Sequence, residues 1–188
     1  MSEQKVESIK KELPRVLIEI GIALAGSCFL ALLSQVAIPL PFTPIPVTLQ
    51  TLGVFLLGGI LGSRRAVYSV LGYLIQGCCG FPVFAGGVAN PLWIGGVQAG
   101  FLVSFVGAAY LIGFIGKMCE SQHRFRFFSL VLALTVGQLV IFAGGAAWLA
   151  CYVGWKKAFL LGVAPFFTGA VLKILAGAMG LWLVGKRS

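Results

Sequence analysis

The chain has 188 residues, of which 59% are hydrophobic and only 10% charged, with a mean hydropathy of +1.01. A water-soluble globule of this size could not carry that composition on its surface, so lipid must be the solvent for most of it. A formal charge of +9 would point a soluble protein toward nucleic acid or an acidic partner; in a membrane protein its distribution over the loops matters more.

A bilayer core about 30 Å thick needs roughly 20 apolar residues per helical span. The sequence predicts an all-α integral membrane protein with six transmembrane helices in a single membrane domain over residues 1–188. The spans fall at Val16–Ile38, Pro46–Gly62, Ala66–Pro82, Gly95–Gly116, Phe127–Gly154 and Ala158–Gly185. The apolar runs are continuous, whereas a membrane barrel would alternate apolar and polar residues in short segments. The second and third spans are short and need tilt or local thinning of the bilayer.

Residues 1–14 are polar and charged, which predicts a cytoplasmic lead-in and no cleavable signal peptide. In span one, Ala23, Ser27 and Ala31 repeat at a spacing of four. Such a small-residue face serves either internal packing or the docking of another membrane subunit. The connection Pro39–Pro46 carries four prolines, lacks a backbone donor at each, and is expected to be a stiff extended segment. Its lack of charge suits either a plain turn or a hydrophobic lid, with Phe42 as part of that lid.

Gln50, Gln76, Gln98 and Gln138 are amides within or beside spans; one or two are expected to face a cavity and the others to bond between helices. The connection Gly80–Trp93 mixes glycines and aromatics with Asn90, the single asparagine of the chain. Asn90 offers a donor and an acceptor to an amide or urea group, and Asn before Pro is also a turn starter. Trp93 is a candidate apolar wall.

Lys5, Lys10, Lys11 and Arg15 precede span one; Arg64 and Arg65 join spans two and three; Lys117, Arg124 and Arg126 join four and five; Lys186 and Arg187 follow span six. The opposite side carries only Lys156 and Lys157. The positive-inside rule therefore places both termini in the cytoplasm. His123, the sole histidine, sits in a basic loop with no catalytic partner. The five cysteines show no metal-ligand spacing, no nucleotide-binding fingerprint is present, and there is no Asp at all. Paired-carboxylate catalysis and carboxylate metal cages are thereby excluded, and no cofactor is expected.

Span six holds the most informative residue. Lys173 lies mid-span, where a charge costs about 2.5–3.5 kcal/mol on insertion scales, so it is a functional candidate. Gly169, Ala170, Ala176, Gly177 and Gly180 share its helix face and turn it toward the bundle. It either contacts a solute, bonds backbone carbonyls or snorkels to an interface. With no acid in the neighbouring half of the chain, an anionic or strongly hydrogen-bonding ligand would supply its counterpart.

Three stretches resemble the BioY family: Pro39-Leu-Pro-Phe-Thr-Pro-Ile-Pro-Val-Thr-Leu-Gln-Thr-Leu52, Gly80-Phe-Pro-Val-Phe-Ala-Gly-Gly87 and Ala164-Pro-Phe-Phe-Thr-Gly-Ala-Val-Leu-Lys173. The resemblance implies a biotin-binding S component of an energy-coupling factor (ECF) transporter. Such a six-helix subunit of a prokaryotic cell membrane associates with a transmembrane coupling protein and two ATPases. It implies Lys173 as the binding lysine and Asn90 as the loop asparagine; Gln50 is expected as a further polar contact beside them, and Phe42 and Trp93 as walls or lid. It also implies a docking face at Ala23, Ser27 and Ala31. Ala170 stands where the family usually has an aspartate, and the segment Gly95–Leu102 departs from the family's glycine-proline run. Thr168, Gln98 or Asn90 would then provide the missing acceptor. The lost aspartate also leaves room for an S component for another vitamin or a lipoate-like acid. Readings of another class are a membrane-embedded lipid enzyme and a purely structural subunit.

Overall fold

The computed structural model describes residues 3–87, 89–119 and 126–186; His123 and Arg124 lie outside them. Backbone polar groups find no partner in hydrocarbon, which favours helices that satisfy their own bonds. The chain accordingly forms α1 (Glu3–Gln35), α2 (Gln50–Cys78), α3 (Ala99–Cys119), α4 (Arg126–Val153), α5 (Trp155–Gly162) and α6 (Phe167–Lys186).

Five stretches are long and apolar enough to cross a membrane: Leu13–Gln35, Gln50–Cys78, Ala99–Met118, Phe127–Val153 and Trp155–Gly185. Six spans were expected, and the difference lies at Gly62. Spans two and three are one helical stretch by hydrogen bonding, yet Gly62 interrupts it with φ 75° and ψ 176°, a conformation essentially restricted to glycine. Gln50 Nε2 donates to Tyr73 Oη at 2.7 Å, whereas a straight helix would hold these residues roughly 34 Å apart. The stretch is therefore folded back on itself into arms 50–61 and 63–78. At about 1.5 Å per residue the arms are roughly 18 and 24 Å long, both short of a bilayer core of about 30 Å. The later part of α3 closes on the reversal: a side chain at Gly113 would run into the backbone of Gly62 and Ser63.

The last apolar stretch is also divided. Gly154, at φ 77°, turns the chain out of α4 into the short α5. A 3-10 turn at Ala164–Phe166, containing Pro165, then separates α5 from α6. Pro165 lacks the N–H that would carry one helix through.

Ala37–Ile38 and Val47–Thr48 form β1 and β2, an antiparallel ladder pairing Ala37 with Thr48 and Ile38 with Val47. This ladder closes the Pro-rich segment at its base. Inside the bundle, Leu30, Phe55, Tyr73, Phe105, Ile112 and Leu134 form part of one apolar core. Leu17, Leu24, Leu32, Phe128, Leu139 and Leu172 are exposed; such a belt is stable against lipid and not against water. Arg65 grips Glu19 through both Nε and Nη2, the latter at 2.6 Å, at the basic end of the bundle.

Candidate functional site

The Pro-rich segment, the connection between α2 and α3, and α5 gather at the end opposite the Glu19–Arg65 pair. Beneath them is a partly open cavity with about 610 Å³ of atom-free space, open solvent at its mouth included. Its polar lining is Lys173 from α6, Thr48 from β2, Gln50 and Thr51 from α2, Gln98 just before α3, and Gln138 from α4. Phe101, Phe105, Ile141, Phe142, Phe166 and Ala170 supply much of the apolar wall.

Lys173 is half-buried and donates to the Thr48 carbonyl at 2.6 Å and to Thr51 Oγ1 at 2.9 Å. Both partners are neutral oxygens. An ammonium has three N–H groups, so one remains for a ligand, and the charge lacks a carboxylate among the described residues. Two arrangements open to a buried lysine thus combine: it bonds backbone and still faces a cavity. Ala170, one turn earlier on α6, is buried on the same wall.

The cover over the cavity is tied down at several points. Thr43 Oγ1 donates to the Leu161 carbonyl at 2.7 Å, linking the Pro-rich segment to the end of α5. Gln98 Nε2 donates to the Pro44 carbonyl at 3.2 Å, linking it to the start of α3. Ile45 is buried between these ties and lines the cavity. The Gly80–Trp93 connection packs through Phe84, whose ring lies 5.7 Å from Tyr73 and 5.6 Å from Trp93. Ser34 Oγ holds its backbone by donating to the Val83 carbonyl at 2.5 Å.

The structure thus brings Lys173, Gln50 and Gln98 together and leaves other candidates apart. Gln50 is buried and engaged with Tyr73, so it fixes the two arms of α2 as well as lining the cavity. Asn90 is exposed, and its Oδ1 accepts from the Leu92 N–H at 3.1 Å, which is the turn-starting use of the residue. Trp93 is buried beneath its own connection, with Nε1 directed to Cys78 Sγ at 3.2 Å, and does not line the cavity. Phe42 is 60% exposed on the cover, and Thr168 is exposed on α6.

On α1, Ser27 is fully buried: it donates to the Leu24 carbonyl and accepts from Gln76 Nε2 at 2.9 Å. The Ala23–Ser27 face therefore packs against the second arm of α2 inside the chain; Ala23 and Ala31 are half-buried. Thr51, Phe101 and Phe105 join the cavity lining without having stood out in the sequence. The aromatic pair at helical spacing of four was a usable signal; a lone threonine at a span's start was not.

The chain matches the family described as the BioY family over residues 4–187. It is 33% identical over 162 residues to "Biotin transporter BioY2" of Lactococcus lactis subsp. cremoris, covering 85% of this chain and 86% of that one. It is 36% identical over 149 residues to "Probable biotin transporter BioY" of Pyrococcus horikoshii, covering 77% and 84%. Its fold superposes on a crystal structure of the S-component for biotin from an ECF-type ABC transporter with a TM-score of 0.81. That match covers 93% of this chain and 94% of the other at 24% identity.

Proposed function

The chain belongs to the BioY family, and we propose that it is the biotin-capturing S component of an ECF-type transporter, holding its ligand in the cavity around Lys173. The observation that carries this reading is an ammonium with one N–H to spare and, among the described residues, no carboxylate beside it, facing a largely apolar cavity with a few polar groups. Biotin matches that lining in three parts. Its ureido ring needs a donor to its carbonyl and acceptors for its N–H groups. Its thiophane ring and valeryl chain need apolar walls, here Phe101, Phe105 and Ile141. Its carboxylate is costly to desolvate and belongs near the cover.

We place the ureido ring against Lys173, which donates its spare N–H to the ring carbonyl, and the carboxylate toward Gln98. The lysine's positive charge still attracts the anion across the cavity, because a low-dielectric wall screens it weakly. We assign Phe42, Asn90 and Trp93 to the cover, which has to open for biotin to enter; Thr168, exposed on α6 and outside the cavity lining, is given no contact.

We read the two arms of α2 as separate membrane segments, which makes six with both termini cytoplasmic in a prokaryotic cell membrane. That topology puts Arg64, Arg65 and Lys117 on the cytoplasmic side, in keeping with the positive-inside rule. The chain has no nucleotide-binding motif, so energy for release has to come from partners, a membrane coupling protein and two ATPase subunits. Docking by α1 would fall on the exposed Leu17, Leu24 and Leu32, since the face that carries Ala23, Ser27 and Ala31 packs within the chain.

Displacement of labelled biotin from the purified protein by other vitamins and by lipoate tests the reading. Displacement by biotin alone is the expected result; more effective displacement by another vitamin or lipoate would reassign the ligand.

A further inference from the structure

Among the described residues, Gln138 Oε1 is the buried side-chain nitrogen or oxygen left without a hydrogen-bond partner. Gln138 is only 5% exposed and lines the same cavity as Lys173. Phe105, Phe142 and Ala170, which line the cavity with it, are apolar and offer nothing to that oxygen. The other cavity amides are engaged, Gln50 with Tyr73 and Gln98 with the Pro44 carbonyl. Lipid supplies no donor either, so the unsatisfied oxygen is a standing cost unless something entering the cavity pairs with it.

An amide oxygen only accepts, which means the missing partner carries an N–H or O–H. We infer that Gln138 is a specificity residue that accepts a ureido N–H of the ligand while Lys173 donates to the ureido carbonyl, so that the two side chains read one –NH–CO– unit from opposite sides. This rests on the biotin reading and sharpens it. A lipoate-like acid has an apolar dithiolane ring with no N–H, and would leave the oxygen as unpaired as it is in the empty cavity. A site that binds a ligand N–H discriminates strongly against analogues lacking it, because the buried acceptor is then stranded.

The test uses the full chain in lipid nanodiscs and three ligands: biotin, and its two analogues methylated on one or other ureido nitrogen. Gln138→Leu should weaken biotin roughly 10- to 30-fold. For one of the methylated analogues, which has lost the relevant N–H, the same substitution should change affinity less than about threefold. Gln138→Glu, which keeps an acceptor in place, should retain more biotin affinity than the leucine variant. Without ligand, Gln138→Leu should melt no lower than wild type, since it removes an unpaired group; a purely structural glutamine would show the opposite. Unchanged biotin affinity in Gln138→Leu, or equal losses for all three ligands, would overturn the inference. Failure of the wild type to bind biotin would instead overturn the biotin reading, and this assignment with it.

Discussion

Lys173 Nζ on α6 donates to the Thr48 carbonyl at 2.6 Å, across 125 residues of sequence. The same nitrogen reaches Thr51 Oγ1 at 2.9 Å. One side chain therefore ties α6 to β2 and to the first turn of α2, so the lysine we propose as ligand anchor also helps hold the base of the cover.

Replacement of Lys173 should accordingly cost both functions. Lys173→Met removes a charge-assisted donor worth about 1.5–3 kcal/mol, and biotin affinity should fall roughly 10- to 100-fold. Amide exchange across β1 and β2 should also quicken. Lys173→Arg should recover little, because a planar guanidinium does not reproduce a compact ammonium. Biotin titration with exchange mass spectrometry reads both effects; unchanged affinity in Lys173→Met would remove it from the site.

Thr43 offers a way to loosen the cover at its tie to α5. Thr43→Val deletes the bond to the Leu161 carbonyl and the one Thr43 Oγ1 accepts from the Ile45 N–H at 3.2 Å, together worth about 1 kcal/mol or more. Biotin dissociation should speed up about fivefold. Stopped-flow exchange of bound labelled biotin measures this, and an unaltered dissociation rate would show that the tie does not govern opening.

Asn90 separates contact from proximity. Its Oδ1 is committed to the Leu92 N–H and the residue is exposed. Asn90→Ala should leave biotin affinity within about threefold of wild type, as befits loss of one solvent-exposed turn bond. A loss beyond about 30-fold would mean that the connection folds inward on the ligand.

Much of this arrangement was legible from the residues. A lysine in lipid announces a polar site because the alternatives are expensive, and Arg64-Arg65 between two short apolar runs announces a reversal. The sequence could not say that the reversal is made at Gly62 within one hydrogen-bonded stretch, because hydropathy registers length and not φ. Nor could it sort the glutamines. An amide in a span is equally at home bonding a neighbouring helix, as Gln76 does with Ser27, or facing a cavity, as Gln138 does. Only packing decides. The small-residue face at Ala23 and Ser27 was ambiguous for the same reason, since close approach serves an internal arm as well as a partner.

Gly62 provides a test of the fold itself. No atom lies within 4 Å of where its Cβ would stand, so Gly62→Ala probes backbone strain alone. At φ 75° and ψ 176° the cost should be about 1–3 kcal/mol, lowering Tm by several degrees in detergent. Gly116, equally open but without a positive φ, is the control; Gly116→Ala should be neutral or slightly stabilising. Equal melting of the two variants would contradict a reversal at Gly62.

Whether the Lys173 cavity is a biotin site is decided by calorimetric titration of the purified wild-type chain with biotin. One saturable site per chain is expected, with a dissociation constant below about 1 μM, that is, binding stronger than about −8 kcal/mol. Heats that fail to saturate in that range, or a lipoate isotherm tighter than that of biotin, would contradict a biotin site there.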